Sequence, residues 1–300
     1  MPPHAPLTRG RYRHVPLAPP RTRWTPVVTT GSLPGPVVST DPTGRRGTPP
    51  ANRSAGTPPP ARRSWTRRYL PPQHGAWAML LVPYLAGLLL AGFSWAHLPL
   101  LVAWLGGYLL SYYAFVAVRV GRLTRVRAQV LLYAEITVPA GALVLLLSPR
   151  VIVFAPVFAV LVAVNVVAAR TGSQRTLVND LAAVLQSSLM LPVVAVAAGE
   201  PVTGVLPEFA VVLLYFAGTV PYVKTMIRNR GDVRYLVGSP AYHALALAAV
   251  GVVSWWYAVF FGWLTLRAVV APRLPLRQLH VGLLEIVHCV VLLVLIPLAG

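Results

Sequence analysis

The chain has 300 residues, of which 56% are apolar and 11% charged, and its 26 Lys and Arg outnumber 7 Asp and Glu to give a net charge of +19. A soluble globule carries about 25% charged residues, so this composition, with a mean hydropathy of +0.65, excludes one. The positive charge would suit nucleic acid, but it sits in the N-terminal tail and in short loops between apolar runs. That distribution orients a membrane bundle, and no nucleic-acid partner is expected.

Residues 1–70 are rich in Pro, Arg, Ser, Thr and Gly, with Asp41 as their one acid and no apolar run. Such a segment buries too little surface to offset its ordering entropy, so a disordered cytoplasmic tail is expected, followed by a transmembrane domain over 71–300. No apolar stretch near the start resembles a secretory signal. Arg62, Arg63, Arg67 and Arg68 precede the first apolar run and could tether the tail to anionic lipids. An inert tail and a misassigned start codon stand beside that reading.

Crossing a hydrocarbon core of about 30 Å takes roughly 20 apolar helical residues. Runs of that kind cover 76–93, 96–118, 128–148, 151–169, 176–198, 207–225, 240–270 and 281–298. Arginine-rich loops belong in the cytoplasm. The tail, 119–127, 170–175 and 224–234 are basic, and the alternate loops are not. The loop 271–280, with Arg273 and Arg277, joins the basic set only if 240–270 is a hairpin turning near Ser254–Trp256. The expectation is an all-α polytopic bundle of about nine transmembrane helices in a bacterial inner membrane, N-terminus in and C-terminus out. Lys224 is the one lysine, and this arginine bias points to a GC-rich bacterial genome. The prolines within spans (Pro83, Pro139, Pro156, Pro192, Pro221) imply kinks.

Ionisable groups within spans are costly and mark candidate sites. On the expected topology Glu135, Asn179, Asp180, Glu285 and His288 lie in the cytoplasmic half, with Asn165 one turn from the same side. Gln73 and His74 precede the first span, Lys224 closes the sixth, and His243 opens the seventh. The outer half holds almost nothing comparable. This asymmetry predicts a polar cavity open to the cytoplasm and rimmed by arginine. Glu135 and Asp180 are the acid/base candidates. His74, Asn179, Lys224, Arg228, Arg230, His243, Glu285 and His288 are the candidate ligand-binding residues, with Lys224, Arg228 and Arg230 suited to a phosphate or diphosphate head group.

Glu285 and His288 share a helix face, but a carboxylate-bridged metal pair needs a second Glu-x-x-His and further acids. One copy is present, so no metal is expected. The single Cys289 lies in an apolar run and can form neither an intrachain disulfide nor a cysteine-based zinc site. No cofactor motif appears.

Three stretches carry a family likeness: Pro71-Pro-Gln-His-Gly-Ala-Trp-Ala-Met-Leu, Arg175-Thr-Leu-Val-Asn-Asp, and Pro221-Tyr-Val-Lys-Thr-Met-Ile-Arg-Asn-Arg. With Tyr242-His243 they resemble the YwiC-like family of bacterial membrane proteins, across about residues 70–300. The resemblance implies an integral membrane protein and adds no chemistry, since the family has no established activity. A weaker, topological likeness is to the UbiA-type intramembrane prenyltransferases, which hold Mg²⁺ and an isoprenyl diphosphate with two aspartate-rich loops. This chain departs there, because 119–127 has no acid and 224–235 has Asp232 alone. The expected function is binding of an anionic isoprenoid or lipid phosphate from the cytoplasmic leaflet. The alternatives are UbiA-like transfer, transport of a small solute or ion, and a scaffold for membrane subunits.

Overall fold

The computed structural model describes residues 69–71 and 74–299, and every element in them is helical. The expected tail falls outside the described residues except for Tyr69 and Leu70, and Gln73 and the His74 side chain lie outside them too. The helices are α1 (His74–Ala91), α2 (His97–Val120), α3 (Arg127–Leu147), α4 (Ala155–Thr171), α5 (Leu177–Ser188), α6 (Met190–Ala198), α7 (Leu206–Val223), α8 (Val233–Val250), α9 (Trp255–Val270) and α10 (Gln278–Ala299). Six helices or helix runs are long and apolar enough to cross a membrane, α5 and α6 counting together as Leu177–Ala198.

Local chemistry sets the boundaries. Gly121 (φ 68°) and Gly172 (φ 73°) close α2 and α4 in the left-handed region, where a side chain would be strained. The α5–α6 span breaks at Leu189 because Pro192 lacks an N–H and crowds the carbonyl four residues back, that of Ser188. Pro221 loosens the end of α7 in the same way. The chain widens there into a π-helical turn, Lys224–Arg228, in which the Asn229 N–H donates to the Lys224 carbonyl at 2.7 Å.

The expected hairpin in 240–270 is present, with Gly251–Val253 forming a turn between α8 and α9. Its first helix begins seven residues earlier than expected, because Asp232 caps it by accepting from the Arg234 N–H at 2.9 Å. His243 therefore lies mid-helix and is buried, a correction to its expected place at the opening of the span.

Burial separates a centre from a rim. In the most apolar 18-residue stretch of the Leu177–Ala198 span 61% of the residues are buried, against 11% in the corresponding stretches of α2, α3 and the α4 span. Around that centre, Val82, Ala86, Leu191, Val212, Tyr215, Phe261 and Leu292 join α1, α6, α7, α9 and α10 in one apolar core. A second core of Tyr84, Leu100, Leu161, Met190 and Val194 attaches α2 and α4.

Contacts between helix ends define two faces. On the arginine-rich face, Arg119 donates to Gln174, Lys224 meets Asp180, and Arg230 donates to the Leu274 carbonyl. The opposite face is fixed by His97. The Ser94 N–H donates to His97 Nδ1 at 3.0 Å, so Nε2 carries the proton and donates to the Val194 carbonyl at 2.9 Å. Tyr84 donates to the His97 carbonyl at 2.8 Å, completing a junction of α1, α2 and α6.

Candidate functional site

The expected single polar cavity is not what forms. The intramembrane polar residues divide into separate groups, because several of them pair with complements on neighbouring helices.

Asp180 and Lys224 make one group. Lys224 Nζ lies 2.7 Å from Asp180 Oδ2 and donates to the Arg175 carbonyl at 3.2 Å, tying α5 to the π-helical end of α7. Lys224 is thus neutralised within the fold and does not stand free for a head group. Asn179 Nδ2 donates to the Gln174 carbonyl at 3.1 Å, while its Oδ1 is buried with no partner among the described residues. Asn165 donates to Gln186 at 3.2 Å, an α4–α5 clasp.

Glu135 is exposed on α3, which belongs to the rim of the bundle. It joins none of the other candidates. Arg228, at the end of the π-helical turn, and Arg230, in the loop that follows, are exposed.

A second group joins α7, α9 and α10 and contains a residue that was not among the expected site residues. Arg267, three residues before the end of α9, has a side chain 2% exposed and pairs through Nη1 with Glu285 Oε1. Tyr215 donates to the other carboxylate oxygen at 3.3 Å. The Arg267 guanidinium carbon sits 3.8 Å from the centre of the Tyr222 ring, a cation–π contact. The Trp263 indole N–H donates to His288 Nε2 at 2.9 Å, so that nitrogen holds a lone pair and the imidazole proton is on Nδ1, facing the Leu284 carbonyl. Arg267 Nη1 lies 3.1 Å from the same Nδ1, but two donors face each other there. Arg267 therefore takes no acceptor from His288.

Its Nε and Nη2 are buried with no partner among the described residues, and Tyr222 Oη is likewise unpartnered. A buried polar group left in that condition costs about 1–3 kcal/mol, and more when charged. The signal for Arg267 was present in the sequence. The apolar run continues through Val269, Val270 and Ala271, which places the arginine inside it and not on a loop.

Glu285 and His288 thus meet Arg267 and Trp263. Among the described residues no group of three or more His, Cys, Asp and Glu side chains could hold a metal. The opposite half also proves less empty than expected. Glu208, in the first turn of α7, is buried with Oε2 unpartnered, and the Tyr257 hydroxyl is buried and unpartnered.

A groove opens on the arginine-rich face between α5, α7 and α8. Its volume is ≈ 420 Å³, within the range of small-molecule sites. Leu177, Leu181, Ala217, Pro221 and Tyr242 give it apolar walls, and Asp232 and Arg234 give it a polar mouth. Ser239 contributes to the lining and is 1% exposed, yet its Oγ has no partner among the described residues. Gly218 lets α7 approach α8 closely, since a Cβ there would come 3.0 Å from the Tyr242 ring and 3.1 Å from His243 Nε2. His243 itself is committed, its Nδ1–H donating to the Ser239 carbonyl at 2.7 Å.

The model of the YwiC-like protein family matches residues 70–195. An uncharacterized protein of Haemophilus influenzae (strain ATCC 51907 / DSM 11121 / KW20 / Rd) is 30% identical over 230 residues, which cover 76% of this chain and 96% of that one. This chain belongs to the YwiC-like family. The uncharacterized protein YwiC of Bacillus subtilis (strain 168) is 29% identical over 232 residues, 73% of this chain and 92% of its own. No solved structure matches. The family match spans α1 to most of α6, so it contains Asp180, whereas the groove's α7 and α8 and the Arg267 group lie beyond residue 195.

Proposed function

We propose that the protein is a multi-pass protein of the bacterial inner membrane that binds an anionic amphipathic lipid from the cytoplasmic leaflet. Its basic loops and N-terminus face the cytoplasm, its C-terminus faces out, and α5–α6 act as one of nine spans. The observation that carries this reading is the groove between α5, α7 and α8. Its walls accept hydrocarbon, its mouth offers Arg234, and a buried hydroxyl without a partner lies in its lining. An isoprenoid or lipid phosphate combines the two halves that such a groove complements. Arg228 and Arg230, in the basic segment leading to Asp232, add attraction for the head group. Asp180 and Lys224 hold the groove's α5 and α7 sides together and take no direct part.

The test is lipid mass spectrometry on the full chain purified in mild detergent. A Cβ at Gly238 meets nothing within 4 Å, so Gly238→Leu fills the groove without a backbone clash and also favours the helix. One phosphorylated lipid enriched in wild type should fall severalfold in Gly238→Leu and in Arg234→Ala. Bulk phospholipid alone in all three samples would end the lipid-binding reading.

A further inference from the structure

Arg267 holds more hydrogen-bonding capacity than the fold uses. Pairing with Glu285 takes Nη1, and the tautomer imposed on His288 by Trp263 removes its Nδ1 as an acceptor. The unpartnered Nε and Nη2 are the side-on edge of the guanidinium, whose N–H bonds run parallel at the spacing of two oxygens on one carboxylate or phosphate. Stacking on Tyr222 fixes the plane of the group, so that this edge is oriented and not free to turn toward water. A pin between α9 and α10 needs one N–H toward Glu285. It does not need a buried two-donor edge beside it.

We propose that the side-on edge of Arg267 is a binding site for one two-oxygen anion, a carboxylate or phosphate group, distinct from the groove between α5, α7 and α8. Arg267 does not line that groove, and the two sites are independent. The anion site lies one turn inside the arginine-rich face, beneath an apolar cover of Tyr222, Met226, Ala268, Ala271 and Val281. Met226 belongs to the π-helical turn, and such turns are found frequently at functional sites. Glu285, on the neighbouring nitrogen, competes electrostatically with any anion bound there and keeps its affinity modest.

The experiment uses full-length protein in micelles, labelled with ¹⁵N-arginine. The Arg267 Nε–H resonance is assigned by its loss in Arg267→Lys. Inorganic phosphate, acetate and dioctanoyl phosphatidic acid are titrated in turn. At least one probe should shift the Arg267 resonance saturably and raise the melting temperature of wild type but not of Arg267→Lys. That variant keeps a charge for Glu285 and lacks the edge. Glu285→Gln, whose amide oxygen still accepts from Nη1, should bind the same probe about tenfold more tightly. A response to phosphate or acetate identifies a soluble anion, and a response to phosphatidic acid alone identifies a lipid head group. Absence of any shift in both wild type and Glu285→Gln overturns the proposal, even if Arg267→Lys fails to fold. Gly238→Leu should leave the Arg267 response unchanged, which keeps this result separate from the fate of the groove.

Discussion

Asp180→Asn removes the carboxylate that neutralises Lys224, and the geometry fixes both the size and the asymmetry of the effect. The Lys224 side chain is 8% exposed and that of Asp180 26%. Removing one member of a fully buried pair costs about 3–5 kcal/mol, because the survivor is an uncompensated buried charge. Lys224 keeps the Arg175 carbonyl at 3.2 Å, which lowers the loss for Asp180→Asn to about 2–3 kcal/mol. In Lys224→Met the survivor is Asp180, a quarter exposed and able to hydrate, so that loss is about 1–2 kcal/mol. The double variant leaves no orphaned charge and should recover part of the larger loss. At about 2–4 °C per kcal/mol for a domain of this size, Asp180→Asn lowers the melting temperature by roughly 4–12 °C and Lys224→Met by about half as much. Thermal unfolding in detergent, followed by tryptophan fluorescence, reads all four proteins. Equal losses in the two single variants, or a double variant that loses their sum, would refute the argument that the pair is coupled and unequally buried.

Gly218→Ala forces the Tyr242 ring or His243 to move a few tenths of an ångström, at a cost of about 1–3 kcal/mol. Since Tyr242 lines the groove, the same variant should reduce lipid capture in the mass-spectrometric assay, and unchanged stability would mean that α8 retreats freely. His97→Ala removes the clasp between α2 and α6 together with a fully buried ring, and should destabilise by roughly 2–4 kcal/mol in thermal unfolding. A silent His97→Ala would show that α2 is held by apolar packing alone.

The sequence alone determined the all-α class and the helix boundaries, most of them to within about two residues of the runs read from hydropathy. It could do so because membrane insertion depends on length and apolarity, which are additive along the chain. The hairpin in 240–270 was legible from charge alternation even though no break in hydropathy marks it. The early start of α8 was not, because the short stretch before Ser239, interrupted by Arg234 and Gly238, becomes helical when Asp232 caps it and α7 lies alongside.

Tertiary structure decided what each polar residue does. Depth in a span can be counted from the sequence, but direction cannot. Glu135 and Glu285 both lie in the expected cytoplasmic half, yet one is exposed on a rim helix and the other is locked between Arg267 and Tyr215. Pairing partners lie far apart in the chain, as Asp180 does from Lys224 and Trp263 does from His288, so no local pattern announces them. The pairing of Lys224 and the proton position on His288 follow from those partners, because a buried polar group is satisfied by whatever the fold sets beside it.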